Sequence, residues 1–186
     1  MRVTAVIMCS GFSRRMGENK LLMDFRGKRM FEYTVDTVKK AGFYKTVVVT
    51  AYDEIADYCS WADIIRNDEA IEGMSASVRL GVNNCGNCDG IMFFTADQPF
   101  IDETVINKLK TVFDETSKIV IPVVNGKAKN PVIFPIRFAD ELLLLKGESG
   151  GKKVYSKHID EISCVVFDEE KPFIDFDYLA DFDNYI

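Results

Sequence analysis

The sequence holds no apolar run long enough to cross a membrane. Its most apolar opening stretch, VTAVIMC at residues 3–9, gives way to polar residues after those seven positions, against the roughly 20 that a spanning helix needs. No cleavage region of a secretory signal follows it, so the expectation is a cytoplasmic protein without membrane contact. Histidine is almost missing. His158 stands alone, which weakens any hydrolase built on a Ser–His or Cys–His pair. Proline is scarce, at five residues, and there is no Pro/Gly/Ser-rich linker, low-complexity tract or repeat. The 186 residues therefore read as a single domain spanning 1–186. Cysteine comes as five residues, an odd number that suits free thiols. CGNC at 85–88 is a CxxC without a second pair, and it reads as a loop with two incidental thiols rather than a zinc or redox motif. A surplus of positive charge is also lacking. The net charge of −6 argues against nucleic acid as a partner.

The charge that is present lies unevenly. Residues 1–30 carry seven basic groups against two acidic, whereas residues 159–186 carry nine acidic groups against Lys171 alone. A cationic end and a carboxylate-rich end in one small domain suit an anionic ligand bound together with a metal cation.

Apolar runs bounded by turn residues recur at 3–9, 46–51, 89–96, 118–124 and 162–167. Rich in Val, Ile and Phe and without period-2 alternation, they read as strands covered on both faces. Helical spacing of apolar residues marks 28–41, 102–116 and 138–146. This alternation predicts an α/β sandwich with a mostly parallel sheet, whose ligands bind at the carboxyl ends of the strands. The loop GFSRRMGENKLL, 11–22, lies at that edge. Gly11 and Gly17 let backbone N–H groups face an anion, and Arg15 and Lys20 add positive charge. The spacing fits neither a Walker A loop nor a dinucleotide fingerprint.

GFSRRMGENKLL resembles the GxSxRMGxxKLL signature of the nucleotidyltransferases that include the molybdenum cofactor cytidylyltransferases and guanylyltransferases. Six further stretches resemble that family in order. FRGKRMFEY (25–33) is similar to its GKPL segment, with Arg29 in place of proline, and EGMSASVRLG (72–81) to EGMSSSxRxG. FTADQPFI (94–101) is similar to its ADxP or GDQP metal motif, KNPVIFP (129–135) to G(H/N)PV, GESGGKK (147–153) to GDxGAR, and DFDYLADF (175–182) to DIDTPEDL. In the last, Tyr178 and Leu179 replace Thr-Pro. The resemblance implies a Rossmann-like three-layer sandwich with a mostly parallel mixed sheet, of the nucleotide-diphospho-sugar transferase kind.

The reaction so implied is attack by a substrate phosphate oxygen on the α-phosphorus of a nucleoside triphosphate, with loss of pyrophosphate. A phosphate monoester, with its second pKa near ~6, needs no general base at neutral pH. Positioning and charge neutralisation supply the rate. Asp97 ends an apolar strand, where a carboxylate can hold Mg²⁺ as a hard oxygen ligand; as a helix cap it is less well placed than Asp102. The resemblance makes Asp177 the second metal ligand, with Asp175 close by, and makes Arg15 and Lys20 the groups that hold the β- and γ-phosphates. It sets Ser10, Gly11, Ser13, Arg15, Gly17 and Lys20 around the nucleotide. Ser75 and Ser77, at the start of a helix, either cap it or touch base and ribose. Arg79, Asn130 and Lys152 are candidate contacts to the acceptor, Lys152 following a Gly-rich turn.

Guanylyltransferases of the family resemble LAGG before this loop and cytidylyltransferases LAAG. This chain reads Met8-Cys9-Ser10-Gly11, and a side chain at Ser10 should crowd a purine, which favours CTP over GTP. The resemblance implies molybdopterin or its molybdenum adduct as acceptor, and a molybdoenzyme or its chaperone as a protein partner; related folds cytidylylate other small phosphates. A reading of another class is a non-catalytic carrier of pterin or nucleotide.

Overall fold

A computed structural model describes residues 1–11, 19–178, 180–181 and 185. In chain order the elements are β1 (Val3–Cys9), the short hairpin strands β2 (Asp24–Phe25) and β3 (Lys28–Arg29), α1 (Met30–Lys40), β4 (Lys45–Thr50), α2 (Asp53–Tyr58), β5 (Asp63–Arg66), α3 (Met74–Asn83) and β6 (Gly90–Thr95). There follow α4 (Glu103–Thr116), β7 (Ile119–Val124), β8 (Lys127–Ala128), β9 (Val132–Pro135), α5 (Ala139–Leu143), α6 (Lys152–Tyr155) and β10 (Ile162–Phe167).

The main sheet runs β10-β7-β9-β6-β1-β4-β5, with β8 added to β7. Pairings of β1 with β4 and β6, of β4 with β5 and of β7 with β10 are parallel, while β9 lies antiparallel between β6 and β7. This is the mostly parallel mixed sheet that was expected. Its helices lie on both faces because the strands are apolar on both. In β1, Val3, Ala5, Ile7 and Cys9 join the core with Phe31, Val35 and Val38 of α1 and Val105 and Leu109 of α4, whereas Val6 joins Val78 and Val82 of α3. Contact on that second face is close. A Cβ on Gly81 of α3 would lie 2.4 Å from Val6 Cγ1, so glycine sets the distance between helix and strand.

The five strands read from the sequence are present, their ends shifted by one residue at most. The helix expected over 138–146 is shorter. A 3₁₀ turn, Ile136–Phe138, leads into α5, and the chain then leaves the helix through i→i+3 bonds from Leu144 and Leu145 to Glu141 and Leu142. That tightening buries Leu142 and Leu145 and turns Leu144 outward. Asp102 does cap α4, its Oδ1 accepting from the Val105 N–H at 2.9 Å. Asp97 is thus left without a capping duty.

A third, smaller core of Phe25, Met30 and Phe176, edged by Tyr33, Phe100, Ile174 and Tyr185, pins the hairpin and the C-terminal segment to the end of β6. Phe176 stacks edge-on to Phe25, ring centroids 5.0 Å apart. Among the described residues no helix is long and apolar enough to cross a membrane.

Candidate active site

Three segments converge where β1 and β6 end. Beyond β1, Asn19 caps a 3₁₀ turn over Lys20–Leu22, its side chain accepting from the Leu21 N–H at 3.1 Å. Leu21 is buried in the core and Lys20 points to the sheet edge. Beyond β6 comes Asp97. The third segment is anchored by Phe176, fully buried, whose N–H donates to the Asp97 carbonyl at 3.0 Å. Of the two flanking carboxylates, Asp177 remains at the surface, whereas Asp175 lines the adjoining cavity.

The Lys20 ammonium donates to Asp97 Oδ2 at 2.6 Å, to the Phe176 carbonyl at 2.8 Å and to Asp177 Oδ1 at 3.1 Å. Burial pulls the Lys20 pKa down, but Asp97 and Asp177 outweigh it and hold the group above its ordinary value, fully charged. Partial enclosure, together with the negative charges of Asp97 and Asp177, raises the Asp175 carboxyl to about 7. The second oxygen of Asp97, Oδ1, is buried and accepts no hydrogen bond. An acceptor left this way is costly unless a ligand uses it.

Beside this cluster opens a cavity of ≈ 290 Å³. Its apolar wall includes Met8, Met74, Val78, Phe93, Phe134 and Leu142; its polar groups are Thr95, Lys129, Asn130, Lys152, Tyr155 and Asp175. Gly150 and Gly151 belong to the same wall because side chains there would collide: a Cβ would lie 2.7 Å from Met74 Sδ in one case and 2.7 Å from the Phe134 ring in the other. Lys129 is committed to Glu170 at 2.9 Å. The structure therefore brings Lys20, Asp97 and Asp177 to one point and sets Asn130 and Lys152 on the adjoining cavity.

The sequence model of the MobA-like NTP transferase domain matches residues 5–162. The chain belongs to the MobA-like NTP transferase family. Among its relatives is a protein of Natranaerobius thermophilus named probable molybdenum cofactor guanylyltransferase, 31% identical over 131 residues; the match covers 67% of this chain and 62% of that protein's length. The molybdenum cofactor guanylyltransferase of Shewanella sp. strain ANA-3 is 22% identical over 85% of this chain and 82% of its own. Rv0371c from Mycobacterium tuberculosis H37Rv superposes with a TM-score of 0.87 at 22% identity, covering 100% of this chain and 97% of that one. A manganese complex of Rv0371c gives a TM-score of 0.77 at 19% identity, covering 91% of this chain and 90% of the other.

Other residues picked from the sequence of this MobA-like chain sit differently. Ser13, Arg15 and Gly17 lie outside the described residues. Ser10 is buried and its hydroxyl donates to the Val49 carbonyl at 3.1 Å. Gly11 stands at the open edge, its carbonyl accepting from the Tyr52 hydroxyl at 3.1 Å. Neither Ser75 nor Ser77 caps α3, whose N-cap is Gly73 with no side-chain bond. Both are buried; Ser75 Oγ accepts from Arg79 at 3.1 Å and Ser77 Oγ from Asn67 Nδ2 at 3.0 Å. Arg79 is engaged with other parts of the chain. Its guanidinium binds Glu72 at 2.8 Å and the Leu145 carbonyl at 2.9 Å, tying α3 to the segment after α5, and it does not line the cavity with Asn130 and Lys152.

Sequence reasoning missed Thr95, Tyr155 and the aromatic wall of the cavity. These residues come from three elements, β6, β9 and α6, and no local pattern in the chain marks them as neighbours.

Proposed function

We propose that the chain transfers a nucleoside monophosphate from a nucleoside triphosphate to the terminal phosphate of molybdopterin, releasing pyrophosphate. The observation that carries this is the meeting of Lys20, Asp97 and Asp177 at the carboxyl ends of β1 and β6, beside a cavity of a small molecule's size. The relatives' names favour GTP. CTP, which the sequence favoured, rested on Ser10 narrowing the base site, and the Ser10 hydroxyl is engaged with Val49 instead.

Asp97 and Asp177 fit Mg²⁺. They are hard oxygen donors, and the buried Oδ1 of Asp97 still lacks a partner. Among the described residues no group of three or more Asp, Glu, His or Cys side chains forms a cage. That suits Mg²⁺, which takes one or two carboxylates and completes its shell with substrate phosphates and water. Bound there, the ion would supply charge neutralisation on the triphosphate. Lys20 keeps both carboxylates aimed at one point and presents a permanent positive charge to the departing pyrophosphate. Arg15 would share that duty. The cavity holds the acceptor so that its phosphate meets the α-phosphorus, and Lys152, whose ammonium makes no ion pair among the described residues, offsets the acceptor's negative charge.

The test is pyrophosphate release with Mg²⁺, molybdopterin and each of GTP, CTP, ATP and UTP. Release that requires molybdopterin and is fastest with GTP is expected. Faster turnover with CTP would replace the base, and tight ligand retention without pyrophosphate would overturn catalysis in favour of a carrier.

A further inference from the structure

Of the polar side chains in the cavity wall, Thr95 differs from the rest. Its Oγ1 is buried and has no hydrogen-bond partner, a state shared by none of the other lining residues among those described. A buried hydroxyl that bonds to nothing costs free energy in the empty protein. Such a cost persists where a ligand relieves it.

The position of Thr95 says which part of a ligand it would meet. It is the last residue of β6, opposite Met8 of β1 in the parallel register. Phe93, two residues earlier, and Met8 both lie in the cavity wall, so the Phe93 face of β6 is the cavity face. Two residues beyond Thr95 comes Asp97, with its own unpartnered buried oxygen. Thr95 thus stands between the apolar body of the cavity and the carboxylates. An acceptor with its ring system against Phe93, Phe134 and Met8 and its phosphate toward Asp97 would pass directly over it. Only one of the two orphan groups can donate. Asp97 Oδ1 accepts, whereas the Thr95 hydroxyl has a hydrogen to give.

We propose that Thr95 is an acceptor-binding residue, its hydroxyl donating a hydrogen bond to an oxygen at the phosphate-bearing end of the acceptor. The proposal rests on the nucleotidyl-transfer reading above, and it assigns the acceptor a contact distinct from Asn130 and Lys152. No covalent step is involved.

Thr95→Val keeps the shape of the side chain and removes only the hydroxyl; Thr95→Ser keeps the hydroxyl. The probe is a fluorescent pterin phosphate monoester, titrated into each protein without nucleotide, alongside KM for acceptor and for nucleotide in turnover. In Thr95→Val, probe Kd and acceptor KM should rise about tenfold, as for one lost hydrogen bond to a charged group. Nucleotide KM should not move, Thr95→Ser should bind like wild type, and the melting temperature of Thr95→Val should not fall, since no bond within the fold is lost. Unchanged probe binding in Thr95→Val, failure of Thr95→Ser to restore it, a lowered melting temperature, or a wild-type protein that does not bind the probe would each overturn the assignment. If wild type binds the probe but releases no pyrophosphate with any nucleotide, the catalytic reading fails, while the probe comparison still decides Thr95.

Discussion

Lys20 and Asp97 lie 77 positions apart in the chain and 2.6 Å apart in space, and they are both largely enclosed, with side-chain exposures of 12% and 17%. A pair so sheltered is screened far less than a surface ion pair, and each partner depends on the other. Asp177 approaches the same ammonium at 3.1 Å but is half exposed. The sequence end rich in positive charge and the end rich in negative charge therefore meet at one nitrogen atom.

Replacing Asp97 should act on stability and catalysis at once. In Asp97→Ala the ammonium retains the Phe176 carbonyl and Asp177 but loses its shortest contact, a loss of about 1–3 kcal/mol in urea unfolding. Pyrophosphate release should fall at least about a hundredfold. Near-normal turnover in a folded variant would remove Asp97 from the metal site.

Ser10 offers a test of base selection. Its hydroxyl is spent on the Val49 carbonyl, so Ser10→Gly should change the ratio of kcat/KM for GTP and CTP by less than about threefold, well under 1 kcal/mol. A shift of tenfold or more would show that the side chain reads the base after all.

Gly81 separates local propensity from packing. On an isolated helix Gly→Ala stabilises by about 1 kcal/mol. Here the new methyl would fall 2.4 Å from Val6 Cγ1, and overpacking between α3 and β1 should make Gly81→Ala less stable by about 1–3 kcal/mol. Urea midpoints of the two proteins give the sign.

What could be read from the chain follows from how local each signal is. β1 and α4 were legible because an unbroken apolar run, and a helical stripe behind Asp102, are properties of neighbouring residues. Asp97 was legible because it ends such a run. β9 was not recognised as a strand: its four residues sit between Pro131 and a 3₁₀ turn, and it is built by pairing antiparallel to β6 and β7. The partners of Arg79 were not legible for a similar reason. The carboxylate of Glu72 lies within its own neighbourhood, but the Leu145 carbonyl that fixes its direction comes from 66 residues away. Thr95 gave no signal at all, since a buried hydroxyl without a partner is visible only once its surroundings are known.

The Cys85–Cys88 pair, read from the sequence as incidental, makes a pH-dependent prediction. Both thiols are buried at the entry to β6, away from the Asp97 end of that strand. A hydrogen bond from Cys85, outweighing burial, holds the Cys88 thiol down at about 6, while the same bond, with burial, pushes Cys85 well up. Thiolate absorbance in the ultraviolet should therefore show one ionisation per chain near pH 6, and Cys85→Ala should move it toward the ordinary ~8.5. The sign for stability follows from the lowered folded value. The contribution of Cys88 is complete above the unfolded pKa and is lost as pH falls through about 6. The stability advantage of wild type over Cys88→Ala should then shrink as pH is lowered from 8 toward about 6, within the range where Cys85 stays protonated in both states. A constant difference across that interval, with no early thiolate, would mean that the two sulfurs do not share a proton.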